Sequence, residues 1–257
     1  MKIATWNVNS LRVRLPQLLG WLAANPVDVI GIQETKLADE AFPAAEIEAA
    51  GYRYVHNGQK TYNGVAILSR LEPGEVTRDI PGFADEQKRV IAATVGDVRI
   101  VNVYVPNGQA VDSDKYVYKL RWLDALQHYL AAELAAHQRL AVTGDFNIAP
   151  ADEDVHDPAA WQGQVLCSDA ERERFGSLLA TGLRDSFRLF AQPPGSFTWW
   201  DYRQAAFRRN LGLRIDHVLA STALAACCTA SIIDLAPRRN DRPSDHTPLI
   251  TDFATGV

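Results

Sequence analysis

The sequence predicts an α/β protein in which two similar half-sheets pack face to face with helices outside. Three observations lead there. The chain opens as strand, helix, strand. A run of short strands split by turns then separates that opening from a second helix and strand, which implies mixed rather than purely parallel sheets. Polar residues recur at strand ends in both halves: Asn7 and Glu34 in the first, Asp145, Asn147, Asp216, Asp245 and His246 in the second.

Each element has a local reason. Lys2 to Asn7 alternates and meets the polar run Asn7-Val8-Asn9-Ser10, so a strand ends there. Arg12 to Ala24 carries Leu15, Leu18, Leu19 and Leu22 at helical spacing, and Asn25-Pro26 stops it. Val27 to Ile32 is the next strand, ending in Gln33-Glu34-Thr35-Lys36. Phe42 to Ala50 suggests a short helix. Tyr52–His56, Gly64–Ser69, Val76–Ile80, Val90–Val95 and Val98–Val105 read as strands, with hairpin turns at Asn57-Gly58 and Gly96-Asp97. Tyr116 to His137 is a long helix with Leu120, Leu123, Leu126, Tyr129, Leu130 and Leu134 on its buried side. Leu140 to Asn147 is a buried strand running into a turn. Asp157 to Ser168 reads as a loop, Glu171 to Leu179 as helix, and Arg184 to Phe190 as a further helical turn. Phe197-Thr198-Trp199-Trp200 is a short aromatic strand. Leu213–Ala220, Ala230–Leu235 and Leu249–Phe253 complete the strands, and Pro237 to Asp245 is a charged loop.

Composition bounds the class. With 257 residues, 47% apolar and 22% charged, the chain can bury a large core as one domain over residues 1–257. Its three cysteines, Cys167, Cys227 and Cys228, make no disulfide framework, so a reducing cytoplasm is expected. No leader pattern or membrane-length apolar run is present, so no membrane role is expected. A net charge of −5 argues against a protein that coats polyanions. It leaves room for an enzyme with an acidic metal site and a local basic rim.

Chemistry concentrates at the strand ends. Asp145 and Asn147, two residues apart beyond a rigid strand, can face one ligand. Asn7, Glu34, Asp145, Asn147 and Asp245 together offer hard oxygen ligands of the kind that suit Mg²⁺ or Mn²⁺. Each alone is equally a turn-former. In Pro243-Ser244-Asp245-His246-Thr247-Pro248 two prolines stiffen a loop that presents His246, and Asp216 is a candidate to hold its other ring nitrogen. Tyr104, ahead of the stiff turn Val105-Pro106-Asn107-Gly108, can pack or donate to a phosphate oxygen. Basic residues cluster at Arg12 and Arg14, at Lys60 beside Tyr62, at Lys88 and Arg89, at Lys115, Lys119 and Arg121, and at Arg203, Arg208, Arg209 and Arg214. The aromatic stretch Trp199-Trp200-Asp201-Tyr202-Arg203 suits a pocket for a flipped sugar beside a phosphate track.

These motifs resemble one family. Trp6-Asn7-Val8-Asn9-Ser10-Leu11-Arg12, Gln33-Glu34-Thr35-Lys36, Tyr62-Asn63-Gly64-Val65-Ala66, Tyr104-Val105-Pro106-Asn107-Gly108, Gly144-Asp145-Phe146-Asn147, Gly212-Leu213-Arg214-Ile215-Asp216 and Ser244-Asp245-His246-Thr247-Pro248 stand in the order seen in the exonuclease III family of abasic-site endonucleases. Lys60-Thr61-Tyr62-Asn63-Gly64 and Leu211 to His217 are most similar to the bacterial Neisseria type. The resemblance implies a four-layered α/β sandwich of two packed mixed sheets flanked by helices. It also implies Mg²⁺-dependent hydrolysis, with Mn²⁺ as a substitute, of the phosphodiester 5′ to abasic sites in duplex DNA. A 3′–5′ exonuclease and a 3′-phosphodiesterase activity, at 3′ ends of duplex DNA, and a monomeric state go with it.

By matching position, the resemblance implies that Glu34 is the main metal ligand, with Asn7 and Asp245 close by. Asp145 orients or deprotonates the attacking water. Asn147, Tyr104 and His246 hold the scissile phosphate, and Asp216 orients His246. Arg12, Lys60, Tyr62, Arg89 and Asn107 match phosphate-contacting positions, and Arg203 joins them as a basic residue of the aromatic stretch. Trp199, Leu213 and Ile215 match the pocket for the abasic sugar. Leu213 stands where some relatives place Trp, and Asn9 where some carry Asp, which removes a possible metal ligand. Two other readings share these motifs in part: a phosphoesterase of the same fold acting on an inositol phosphate or sphingomyelin, and a non-catalytic DNA-binding relative.

Overall fold

A period of two along the strands decides how the layers stack, because alternate side chains point to opposite faces of a sheet. The computed structural model describes residues 1–255. Strand β1 (Lys2–Asn7), helix α1 (Leu11–Ala24) and strand β2 (Val29–Gln33) form the first crossover, with the two strands parallel. Helix α2 (Ala44–Ala49) leads to the antiparallel pair β3 (Arg53–Asn57) and β4 (Val65–Ser69). Strands β5 (Gly74–Arg78), β6 (Val90–Val95) and β7 (Val98–Tyr104) form a meander. Helix α3 (Asp114–Ala136) crosses over to β8 (Leu140–Asp145), parallel to β7. Then follow α4 (Pro158–Trp161), α5 (Asp169–Ala180), β9 (Leu183–Asp185), α6 (Ala206–Arg209), β10 (Asp216–Ser221), α7 (Thr222–Ala225), β11 (Cys228–Ile233) and β12 (Leu249–Phe253).

The strands make two 6-stranded mixed sheets, β11-β12-β1-β2-β4-β3 and β5-β6-β7-β8-β10-β9. Ile3, Val29, Val65 and Ile67 of the first sheet pack against Ile91, Ile100, Ala141 and Val218 of the second. The opposite face of the first sheet, with Ala4, Trp6, Ile30 and Ile32, packs on Leu18, Trp21 and Leu22 of α1 and Ile47 of α2. The opposite face of the second, with Val101, Val103 and Val142, packs on Leu123, Leu126 and Leu130 of α3 and on Phe175 and Leu178 of α5. Helix, sheet, sheet, helix is the four-layered sandwich expected. No helix among the described residues is long and apolar enough to cross a membrane.

The inner faces change character along each central strand. Ile3, Thr5 and Asn7 follow one another on β1, and Val29, Gly31 and Gln33 on β2. Ile100, Asn102 and Tyr104 do the same on β7, and Ala141, Thr143 and Asp145 on β8. All four go from apolar or small to polar toward their C-terminal ends. Gly31 is needed where the sheets come closest: a Cβ there would lie 2.3 Å from Thr143 Oγ1 and 2.6 Å from Asn102 Oδ1.

Some elements differ from expectation. Asn57-Gly58 is not a two-residue hairpin, since residues 58–64 connect β3 to β4. Asn57 instead turns its amide to Val90 O and Asp79 Oδ1, both at 2.8 Å. Gly96-Asp97 is the two-residue hairpin expected, with Gly96 at φ +61°. Arg184 begins no helix: Leu183–Asp185 pairs with β10, and only one 3₁₀ turn (Phe187–Leu189) follows. Pairing to a neighbouring strand outweighs local propensity there. Within the expected loop, Pro158–Trp161 forms a short helix capped by Asp157. Phe197 to Trp200 is not a strand; Trp199 makes isolated bridges to Leu213 and His246.

The close approach at Gly31 gives a paired test by urea denaturation. Gly31→Ala should cost about 1–3 kcal/mol by overpacking the sheet interface. Gly20→Ala, on helix α1 with nothing within 4 Å of its added Cβ, should gain about 0.5–1 kcal/mol from helix propensity. Two changes of the same sign would contradict the placement of Gly31.

Candidate active site

Both crossovers end their parallel strands at the same place. Asn7 and Gln33 are register partners at the ends of β1 and β2, and Tyr104 and Asp145 at the ends of β7 and β8. Asp216, which opens β10, is the register partner of Asp145. Beyond these ends the backbone turns sharply, with Asn9 (φ 43°), Glu34 (φ 54°), Lys36 (φ 54°) and Asn147 (φ 50°) in left-handed conformations. Such conformations cost free energy for residues with a Cβ and persist only where surroundings hold them. Glu34 is held by Ser10 N on its carbonyl at 2.8 Å and by Lys36 Nζ on its carboxylate at 2.9 Å.

Hydrogen bonds knit the two sheets together here. Asn7 Nδ2 donates to Glu34 Oε1 and to Asp145 Oδ2, both at 2.9 Å. Asp145 also accepts from Asn147 N at 2.9 Å and Asn147 Nδ2 at 3.3 Å. His246 Nδ1 lies 2.8 Å from Asp216 Oδ2, and its Nε2 lies 3.7 Å from Asp145 Oδ2. The loop that carries His246 is pinned by Ser244 Oγ, which donates to Asn7 O at 2.7 Å and accepts from His246 N at 3.2 Å.

These neighbours set the charges. Burial and the facing Asp216 carboxylate lift the Asp145 carboxyl from 3.8 to about 7, against the pull of the His246 cation and the Asn7 hydrogen bond. Burial alone would push His246 down. The Asp216, Asp145 and Asp245 carboxylates around it outweigh burial and lift it from 6.5 to about 10. It is therefore an imidazolium at neutral pH, with Nδ1–H given to Asp216 and Nε2–H facing the site. Tyr104 is held well above the ordinary phenol value by burial and the Glu34 charge, with Arg89 opposing, so it stays a neutral donor. Asp245 is held below the ordinary carboxylate value although burial opposes it, through His246 and hydrogen bonds from Trp199 and Asn9.

Ligand-type atoms of Glu34, Asp145 and His246 lie within 4.8 Å of one another. With His246 protonated, the oxygens of Glu34 and Asp145 remain, a hard donor set that fits a hard divalent cation. Carboxylates of Glu34, Asp145, Asp216 and Asp245 outnumber the cations of His246 and Lys36. Of the expected metal group, Asn7 contacts both carboxylates of this cluster, and Asp245 directly precedes its His246 in the chain. Asn7 spends its amide hydrogens on Glu34 and Asp145, and its Oδ1 accepts from Asn9 N at 2.9 Å. Both oxygens of Asp245 are engaged, by Asn9 Nδ2 at 2.9 Å and Trp199 Nε1 at 3.0 Å.

Two clefts flank the centre. Tyr62, Arg89, Asn107 and Lys115 line one of about 700 Å³, joined to the centre by Asn107 Nδ2 donating to Asn147 Oδ1 at 3.0 Å. Arg89 is only 9% exposed. Its guanidinium donates to Gln87 Oε1 and Tyr104 O and lies 4.6 Å from the Tyr104 ring centroid, so it supports the tyrosine more than it faces solvent. Arg12 and Lys60 are exposed and make no ion pair among the described residues. The second cleft, of about 420 Å³, is lined by His156, Trp161, Trp199 and Arg203. Arg203 is exposed and paired with Asp201 at 3.0 Å. Of the expected sugar pocket, Trp199 forms the wall. Leu213 and Ile215 are fully buried behind it, because Leu213 bonds backbone to backbone with Trp199 and turns its side chain among Ala149, Val155 and Leu166.

Lys119, in the sequence only a member of a basic cluster, supports the site. It is 0% exposed and donates to Asn147 O at 2.7 Å, Asn107 O at 3.1 Å and Glu171 Oε1. Its ammonium thus fixes the backbone of both asparagines from below. A lysine on the stripe of α3 that carries Tyr116, Leu123, Leu126 and Leu130 was the available signal.

The model of the Endonuclease/Exonuclease/phosphatase family matches residues 4–246. The chain is similar to "Exodeoxyribonuclease III" of Haemophilus influenzae, at 38% identity over 98% of this chain and 100% of that one. Its fold superposes on the 3′ phosphatase NExo from Neisseria bound to product DNA hairpin, with TM-score 0.98, 50% identity, and coverage of 99% and 100%. An AP endonuclease from Archaeoglobus fulgidus gives TM-score 0.96 at 37% identity, with coverage of 99% and 100%.

The protonated His246 has a consequence for stability. A histidine raised from 6.5 to about 10 stabilises the fold fully below pH 6.5 and loses that contribution as pH climbs through 10. Asp145, raised to about 7, costs stability only as pH rises from 3.8 to 7. Between pH 7 and pH 10 the metal-free protein should therefore lose stability in urea titrations, and His246→Gln should remove most of that slope. Parallel profiles for the two proteins would contradict a buried imidazolium.

Proposed function

This chain belongs to the endonuclease/exonuclease/phosphatase family, and we propose that it is a Mg²⁺-dependent DNA repair nuclease that hydrolyses the phosphodiester 5′ to abasic sites in duplex DNA. We read residues 1–257 as one catalytic domain. The observation that carries the reading is the group of Glu34, Asp145 and His246, three buried or half-buried side chains from three separated parts of the chain, beside the neutral phenol of Tyr104. Similarity to an exodeoxyribonuclease III and to an AP endonuclease supports DNA as the substrate. Similarity to a 3′ phosphatase supports a second activity at 3′ ends.

Phosphodiester hydrolysis needs an activated water, donors for charge on the phosphoryl oxygens, and stabilisation of the leaving alkoxide. Asp145, with a carboxyl near neutrality, is suited to accept a proton from the attacking water. On this reading His246 Nε2–H and Tyr104 OH donate to phosphate oxygens, and Asn147, whose Nδ2 donates to Val105 O at 3.0 Å and to Asp145 Oδ2 at 3.3 Å, gives up the longer bond to join them. Asp216 keeps His246 protonated, so it donates rather than accepts. Glu34, with Asp145 beside it and Asn7 orienting both, would hold the divalent cation. When bound, that cation neutralises phosphate charge and favours the leaving oxygen. On this reading Arg12, Lys60, Tyr62, Arg89, Asn107 and Arg203 contact phosphates along the duplex, and Trp199 meets the extruded sugar. An abasic nucleotide lacks pairing and most stacking, so extruding it costs less than extruding an intact one.

The test is nicking of a duplex that holds one tetrahydrofuran site, beside intact, 3′-recessed and 3′-phosphate duplexes, with Mg²⁺ or with EDTA. Cutting at the tetrahydrofuran site should require the metal and exceed cutting of intact duplex. Undiminished cutting in EDTA, or preferred hydrolysis of a soluble phosphoester, would sink the reading. Glu34→Ala should shift the Mg²⁺ titration to higher concentration; an unchanged titration would reject Glu34 as ligand.

A further inference from the structure

One rung below the site, on the inner faces of both sheets, lies a closed set of neutral polar side chains. Thr5 is the register partner of Gly31 in the first sheet, and Asn102 of Thr143 in the second. Asn102 reaches across the interface. Its Nδ2 donates to Ile32 O and Ala66 O, both at 2.9 Å, so one amide grips β2 and β4 at once. Its Oδ1 accepts from Gln33 Nε2 at 2.6 Å and from Thr143 Oγ1 at 3.2 Å. Gln33 Nε2 in turn reaches Thr5 Oγ1 at 2.9 Å. All four side chains are 0% exposed.

Their sequence positions match those of the site. Thr5 stands two residues before Asn7, Asn102 two before Tyr104, and Thr143 two before Asp145. Gln33 directly precedes Glu34. Two residues along a strand is about 6.6 Å, so the set lies directly beneath the reacting groups. Gly31 leaves the space that Asn102 and Thr143 fill.

Apolar packing alone would not need these groups. Gln33 Oε1 is buried with no protein partner, and such an atom carries a desolvation cost that an apolar side chain of the same shape avoids. Directional hydrogen bonds supply what apolar contact lacks: they allow one register between the sheets and disfavour a small slide. The site is sensitive to such a slide, because Glu34 and Asn7 come from one sheet and Asp145 and Tyr104 from the other.

We propose that Asn102, with Gln33 and Thr143, is a positioning clamp that sets the register between the two sheets and thereby the spacing of Glu34 to Asp145. The clamp touches no substrate. It acts on metal affinity and on turnover through the groups above it, and its kinetic consequence rests on the nuclease reading.

The test compares Asn102→Leu, Thr143→Val and Thr143→Ser with wild type and with Leu126→Ala, a substitution in the helix-facing core away from the clamp. Binding of Mn²⁺ alone is read by electron paramagnetic resonance, and kcat and KM on a tetrahydrofuran duplex are read below every unfolding transition. Asn102→Leu should weaken Mn²⁺ binding about 10-fold and lower kcat about 10- to 100-fold with KM unchanged, the range of lost supporting contacts. Thr143→Val should move both in the same direction by less, and Thr143→Ser, which keeps the hydroxyl, should restore them. Leu126→Ala should lose stability and leave both readouts at wild-type values. The proposal is overturned if Asn102→Leu and Thr143→Val bind Mn²⁺ as wild type does, or if Leu126→Ala loses as much. Should Asn102→Leu not fold, Thr143→Val decides. If wild type cuts no DNA, the nuclease reading fails while the Mn²⁺ series still judges the clamp.

Discussion

Everything at the site depends on two sheets meeting in one register. Asn7 reaches Asp145 from one sheet to the other at 2.9 Å, and the His246–Asp216 pair spans the same boundary at 2.8 Å. Neither pair exists within one sheet. The interface is an apolar core over most of its area, and at the C-terminal ends of four central strands it turns polar, then ionisable. The site is thus the open end of the core, shaped by the packing that stabilises the fold.

That position explains the electrostatics. Carboxylates at the edge of a low-dielectric core cannot all be ionised without partners. The excess is met in three ways. His246 takes a proton and holds it against burial. Asp145 keeps its carboxyl near neutrality. Asn7, Asn9, Trp199 and Lys36 donate hydrogen bonds to oxygens of Glu34, Asp145 and Asp245. What is left is a small negative surplus around Glu34 and Asp145, which favours a divalent cation there. Lys119 and Glu171 form a second buried pair, below Asn147. Their charges are satisfied by each other, by two carbonyls and by Leu166 N and Ser168, so the pair stiffens the strand-end turn without facing the site.

Much of this was legible in the residues. The alternation of Lys2 to Asn7 and the apolar run Leu140 to Val142 announced strands. The leucines of both long helices announced their buried faces, and the motifs at strand ends announced where chemistry sits. Hidden features share a physical cause: they depend on which element comes to lie opposite. Arg89 read as a phosphate-contacting residue, and only the fold shows Tyr104 lying against it. Leu213 and Ile215 read as pocket walls, and only the fold shows them buried in the cluster that backs Trp161 and Trp199, which line the cleft. Leu183 to Asp185 became a strand because β10 offered an edge. Asn102 and Thr143 looked like ordinary strand residues, since only the facing sheet gives their side chains a task. Asn7 read as a metal-side residue, and only the folded structure shows its amide bridging Glu34 and Asp145.

On the proposed nuclease reading Asp145, held between the sheets with its carboxyl lifted to about 7, serves the attacking water rather than the grip on DNA. The most direct measurement is single-turnover cleavage of a tetrahydrofuran duplex by Asp145→Asn, with duplex affinity measured on the same preparation. The rate should fall by roughly 10²–10⁴-fold, the range for loss of a general base, with affinity close to wild type. Cleavage at the wild-type rate, or a loss that lies wholly in binding, would contradict it.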